Sequence, residues 1–176
     1  MKVIGFAGFS GSGKTTLVEQ LVRGLRARGL RVSVIKHAHH RFDVDHVGKD
    51  SWRHREAGAF EVLVASNRRL VLQRQYEREA EPQVHHLLAE VYDGVDWVLV
   101  EGFKHSDLSK VEVWRPESGA DPLYLEDPFV KAIATNVPEQ VRPTTLRPVL
   151  DLNRPEEVLQ WMIDNGDDLI YQPPLA

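Results

Sequence analysis

Gly8-Phe9-Ser10-Gly11-Ser12-Gly13-Lys14-Thr15-Thr16 follows directly on the apolar run Val3-Ile4-Gly5-Phe6-Ala7, and it spells the phosphate-binding pattern G-x-x-x-x-G-K-S/T. The pattern has a mechanism. Its glycines let the backbone turn tightly enough to aim successive N–H groups at one phosphate, Lys14 reaches the β and γ oxygens, and the Thr15 hydroxyl completes a magnesium shell. A helix that starts here turns its positive end toward the anion. The residues beyond support that order: Leu17, Val18, Leu21, Val22 and Leu25 form a helical stripe, and Gly29 stands where the helix should close. Strand, loop and helix in this succession indicate a site for a nucleoside triphosphate.

Strand and helix signals alternate along the rest of the chain. Arg31 to Lys36 is a short β-branched run read as a second strand, and Asp50 to Gly58 a short helix closed by glycine. Glu61 to Ser66 and Leu70 to Arg74 flank the turn-prone Ser66-Asn67-Arg68-Arg69 and suit two antiparallel strands. Val84, Leu87, Leu88 and Val91 repeat with helical spacing, with Pro82 near the start and Gly94 past the end. The unbroken run Trp97-Val98-Leu99-Val100 suits a central parallel strand buried on both faces. Lys110 to Arg115 alternates and is expected as a half-exposed strand; Val130 to Thr135 reads as another. Val158, Leu159, Met162 and Ile163 mark a last amphipathic helix, with Asn153 expected as its cap and Pro155 in its first turn. The expected fold is α/β of the P-loop NTPase type: a mainly parallel sheet flanked by helices, an antiparallel edge hairpin, and ligands at the carboxyl ends of the strands. A chain of 176 residues, 42% hydrophobic, fits a single domain over residues 1–176.

Composition narrows the functions. A formal charge of −4 provides no basic footprint for nucleic acid. The absence of cysteine excludes disulfides, thiolate metal sites and a cysteine nucleophile. No apolar run approaches the length of a membrane span, and Met1-Lys2 leads straight into the first strand, so the expectation is a soluble cytoplasmic protein with no membrane partner.

A phosphate loop needs an acid at the end of a second core strand, to hold magnesium directly or through water. Glu101 closes Trp97-Val98-Leu99-Val100 and precedes Gly102, which makes it the best candidate. The segment from His37 to Ser51 is the densest in polar chemistry, and it leaves the strand expected beside the phosphate loop. Asp43 and Asp45 point the same way if the backbone is extended, and Asp45 is taken as a further magnesium ligand. His39, His40, Arg41 and Lys49 offer donors to phosphate oxygens. Four histidines within His37 to His46 raise a transition-metal site, against which stand the lack of cysteine and of a second cluster with ligand spacing. Base choice stays open on residues alone: no N-K-x-D box is present, and Asn136 suits either a base contact or a turn.

The segments GFSGSGKTT (8–16), VIKHAHHRFDVDHVGKDSWRHREAGA (34–59) and DWVLVEGFK (96–104), in this order, resemble the molybdopterin-guanine dinucleotide biosynthesis protein B family. The loop alone is shared by a very large superfamily; K-H-x-H-H, D-x-D, G-K-D-S and V-E-G-F-K together are far more specific. The resemblance implies a GTP-binding accessory protein, often dimeric, that assists the nucleotidyltransferase attaching GMP to molybdopterin and hydrolyses GTP weakly. Carried over by position, it places the nucleotide on Gly11, Ser12, Gly13, Lys14, Thr15 and Thr16. Magnesium falls on Thr15 and Glu101, and Lys14 with Glu101 act on the phosphates. A homodimer is expected from the resemblance together with the apolar Leu70-Val71-Leu72 run. The alternative is a P-loop small-molecule kinase or ligase, which would consume triphosphate rapidly once an acceptor is supplied.

Overall fold

Residues of the first strand and of the Trp97 run are apolar at successive positions, so both faces of whatever sheet they join must be covered. The computed structural model describes residues 1–38, 42–141 and 144–174. Strand β1 (Lys2–Ala7) leads to helix α1 (Lys14–Ala27) and strand β2 (Val32–Lys36), then to helix α2 (Asp50–Glu56) and strands β3 (Glu61–Ala65) and β4 (Leu70–Arg74). Helix α3 (Val84–Ala89) precedes strands β5 (Trp97–Glu101), β6 (Lys110–Trp114), β7 (Val130–Thr135) and β8 (Val149–Asp151), and helix α4 (Pro155–Asp164) follows. The chain forms two compact units, Met1–His37 with Val84–Ala176, and Ala38–Gln83.

In the first unit six strands pair in the order β2-β5-β1-β6-β7-β8, every pairing parallel. Period-two alternation divides the core between two faces. Ile4, Phe6, Trp97 and Leu99 pack with Leu17, Leu21 and Leu25 of α1 and Val158, Leu159 and Met162 of α4. Val3, Val98 and Val100 pack with Val84 and Leu88 of α3 and with Leu108. All β strands here run the same way, so their carboxyl ends share one edge.

Three expectations need correction. Strand β6 is not half-exposed: it lies between β1 and β7, with Lys110, Val111, Glu112 and Val113 all buried. Its charged positions mimic a solvent face because their partners come from distant loops. The Lys110 ammonium donates to Lys104 O (2.9 Å), Ser106 O (2.5 Å) and the Asp127 carboxylate (2.8 Å). The Glu112 carboxylate accepts the Leu123 and Tyr124 N–H groups at 2.6 and 2.9 Å, while burial pushes its pKa up. The N-cap of α4 is Arg154, with no side-chain cap; Asn153 instead donates its backbone N–H to Asp151 at 2.8 Å. Strand β8 has no counterpart among the expected elements, being only three residues behind Pro148.

In the second unit β3 and β4 pair antiparallel from Glu61↔Arg74 to Ala65↔Leu70, forming a two-stranded sheet of their own. Ser66 closes the turn: its N–H donates to Arg69 O at 2.8 Å, and its hydroxyl accepts from the Arg68 and Arg69 N–H groups at 3.2 and 3.1 Å. The Arg74–Glu61 ion pair closes the other end. No helix among the described residues is long and apolar enough to cross a membrane.

Candidate nucleotide-binding site

The loop between β1 and α1 is shaped by close backbone approach. Gly8 has φ 146°, and a Cβ there would stand 2.2 Å from Val113 O of β6, so no side chain fits. The Lys14 ammonium curls back over its own loop and donates to Gly8 O at 2.9 Å and Phe9 O at 2.7 Å. Burial lowers its pKa, the Glu101 charge raises it, and Lys36 and Lys104 lower it further. Those causes identify its charged neighbours.

Register brings the second half of the site together. β5 lies between β1 and β2, with Glu101 opposite Phe6 on one side and Lys36 on the other. Thr15, in the first turn of α1, donates its hydroxyl to Glu101 Oε1 at 2.5 Å. The Lys36 ammonium sits 3.1 Å from the same oxygen and 3.3 Å from the Thr15 hydroxyl. Glu101 is 7% exposed, so this acid is paired and withdrawn from bulk water. Beyond it Gly102 has φ 95°, and a Cβ would stand 2.9 Å from His37 Cβ. Phe103 follows at φ 49°, stacked on His37 with ring centroids 4.5 Å apart. The turn then sends Lys104 over the Phe9 ring, 4.7 Å from its centroid. Buried Lys110 holds the carbonyls of Lys104 and Ser106, fixing this return path.

Arg115 is a site residue that the sequence reading missed. Its Nε donates to Ser12 O at 3.0 Å, clamping the phosphate loop from the end of β6. The available signal was a cation directly behind a strand, informative only once β6 is known to neighbour β1. The Ser12 hydroxyl is buried with no hydrogen-bond partner among the described residues. A buried polar group without a partner costs free energy, so a loop with this orphan and four nearby cations is well suited to an anion.

The structure thus brings Gly11, Ser12, Gly13, Lys14, Thr15 and Glu101 to one edge; Thr16 stands in the first turn of α1, exposed. The remaining expected residues have their own surroundings. Asp45, in the second unit, accepts from the Ser51 hydroxyl and the His46 N–H, both at 2.9 Å. Asp43 makes a two-pronged ion pair with Arg55 at 2.9 and 2.8 Å, which holds its carboxyl at a pKa of about 2. Asp50 opens α2, directly after Lys49. His39, His40 and Arg41 lie outside the described residues.

The family model described as molybdopterin guanine dinucleotide synthesis protein B matches residues 3–136. The chain is 41% identical over 162 residues to the molybdopterin-guanine dinucleotide biosynthesis adapter protein of Haemophilus influenzae, covering 91% of this chain and 86% of that one. It is 39% identical to the adapter protein of the same name from Escherichia coli strain K12, covering 91% and 93%. A crystal structure of a MobB homologue from Bacillus stearothermophilus shares the fold with a TM-score of 0.72 at 24% identity, over 96% of this chain and 99% of that one. With its phosphate loop, its parallel sheet and this likeness along nearly the whole chain, the protein belongs to the molybdopterin guanine dinucleotide synthesis protein B family.

Proposed function

We propose that the protein is a GTP-binding accessory protein of molybdenum cofactor biosynthesis, which assists a nucleotidyltransferase in attaching GMP to molybdopterin. Its relatives in Haemophilus influenzae and Escherichia coli carry the adapter name for that pathway. The observation that carries the chemistry is the Thr15–Glu101–Lys36 cluster beside the phosphate loop.

Each residue has a task that follows from its position. Lys14 exchanges its two loop carbonyls for β and γ phosphate oxygens. Thr15 and Glu101, already in contact through oxygen atoms, supply the hard ligands that Mg²⁺ takes. When bound, the ion neutralises charge on the β and γ oxygens. Lys36 and Lys104 add positive charge near Lys14, and Arg115 keeps the loop in shape. Glu101 already accepts from a hydroxyl and an ammonium, so it serves as a metal holder and is a poor base for water. Weak hydrolysis follows from that assignment. A homodimer completes the reading, supported by the exposed leucines of the β3–β4 hairpin.

The test is titration of the purified protein with GTP, ATP and GDP, with and without magnesium, followed by a reconstituted assay of molybdopterin guanine dinucleotide formation. Magnesium-dependent GTP binding and a stimulated product yield are expected. A wild-type protein that binds no triphosphate under either condition would refute the reading.

A further inference from the structure

The turn after β5 runs Gly102-Phe103-Lys104, and its backbone is set more firmly than a surface loop requires. Gly102 and Phe103 both have positive φ, 95° and 49°, and Phe103 is the one residue other than glycine with that sign among the described residues. A bulky side chain in this conformation is strained and persists only where its surroundings fix it. Two contacts do so here. The Phe103 ring stacks on His37 with centroids 4.5 Å apart, and the buried Lys110 ammonium donates to Lys104 O at 2.9 Å. Held in this way, the chain turns back and sets the Lys104 side chain over the phosphate loop, its ammonium 4.7 Å from the Phe9 ring centroid.

Two cations therefore bracket Phe9. The Lys14 ammonium donates to its carbonyl at 2.7 Å, and the Lys104 ammonium lies over its ring. They are held differently. Lys14 has two carbonyl acceptors, whereas the half-buried Lys104 ammonium has, among the described residues, the face of a ring and neither a carboxylate nor a carbonyl. A ring face holds a cation weakly, and a phosphate oxygen offers it a charge-assisted hydrogen bond instead. Lys104 is also one of the charges that lower the pKa of Lys14, so both cations act on the same small region.

We propose that Lys104 reads the terminal phosphate of the nucleotide and so lets the protein tell a triphosphate from a diphosphate. The proposal rests on the triphosphate reading above. Loop N–H groups hold the inner phosphates, and Lys14 reaches outward to the β and γ oxygens. Its ammonium stands at Gly8 and Phe9, where the loop begins, so the outer end of the phosphate chain belongs there. Lys104 comes to the same end from the turn beyond Glu101 and adds a contact that only a third phosphate can accept. A role at the inner phosphates would need it beside Ser12 and Gly13, and that flank is occupied by Arg115. An accessory protein serving a transferase that consumes GTP has a use for this distinction.

The experiment titrates wild type, Lys104→Met and Lys104→Arg, with magnesium, against the β,γ-imido analogue of GTP, GDP and inorganic tripolyphosphate by calorimetry. Wild type should hold the analogue about tenfold or more tighter than GDP. Lys104→Met should weaken the analogue and tripolyphosphate by about tenfold and leave GDP within about twofold, which erases the preference. Lys104→Arg keeps a cation on the same turn and should retain a preference for the analogue. A Met variant that binds all three as wild type does would overturn the proposal. An equal loss of GDP and the analogue would overturn it as well, because Lys104 would then be a prop of the loop and not a reader of its outer end. An Arg variant indistinguishable from Met would show that the charge is not what counts, with the same consequence. A wild type that binds GDP and the analogue equally would overturn this proposal alone, whereas one that binds none of the three would overturn the phosphate reading and this proposal with it.

Discussion

Lys14 and Lys110 are two lysines of opposite employment, and their surroundings separate them. Among the described residues, the Lys14 ammonium donates its hydrogen bonds to carbonyls of its own loop, at a site open to a ligand. Lys14→Ala should therefore abolish measurable triphosphate binding while changing stability by no more than about 1 kcal/mol, read by titration and thermal unfolding. Lys110 is 1% exposed and joins two carbonyls and the Asp127 carboxylate. Lys110→Met keeps the bulk but takes the donor from two carbonyls and from the partly exposed Asp127 carboxylate, so denaturant unfolding should show a loss of about 1–3 kcal/mol. Asp43 carries a pH dependence of definite sign. Its carboxyl is held at about 2, below the ordinary 3.8, first by the hydrogen bonds from Arg55. A depressed acid contributes stability above its unfolded pKa and loses it as pH falls through the folded value. Protection of the second unit against hydrogen exchange should therefore decline between about pH 5 and pH 2. In Asp43→Asn that part of the decline should be missing; an unchanged profile would mean that the Arg55 pair does nothing for folding.

Elements differ in how openly the sequence declares them, and the reason is whether their signal is local. β1, α1 and β5 are legible because apolar runs, a helical stripe and a phosphate-loop pattern need only their own residues. The hairpin was legible from its turn chemistry, which the Ser66 hydrogen bonds realise. β6 was misread because its burial depends on the loops around Leu123 and Asp127 covering Glu112 and Lys110. The site divides along the same line. Thr15 and Glu101 follow from strand and motif, but Lys36, Lys104 and Arg115 become site residues only through strand order and through the turn at Gly102. That turn carries its own prediction. Gly102 has a positive φ, and a Cβ there meets His37 Cβ at 2.9 Å. Gly102→Ala should push the β5–β6 connection away from β2, disturbing Glu101 and the Phe103–His37 stack together. We expect a stability loss of about 1–3 kcal/mol and weaker magnesium-dependent nucleotide binding, with magnesium-free binding less affected. Equal loss in both conditions would show that the turn shapes the loop itself and not the metal side.

On the scale of the whole molecule, the hairpin states an unmet need. Alternation puts Leu63, Leu70 and Leu72 on one face, with Leu63 and Leu72 directly paired. Their exposures are 59%, 63% and 42%. Two strands alone are marginal in water, and three neighbouring exposed leucines form the kind of apolar patch that marks an interface. Burying one leucine is worth about 1.5–3 kcal/mol, so a second copy covering this face in a two-fold arrangement would gain at six side chains at once. The proposed homodimer accordingly forms through the β3–β4 hairpins, and sedimentation at tens of micromolar protein should give twice the chain mass of 20.0 kDa. Leu72→Lys places a charge at the centre of that face without touching the phosphate loop, which belongs to the other unit. It should yield a species of one chain mass that still binds triphosphate, which separates assembly from ligand binding. A wild type sedimenting as one chain, or a Leu72→Lys variant that stays paired, would place the interface elsewhere and leave the leucines to a different partner.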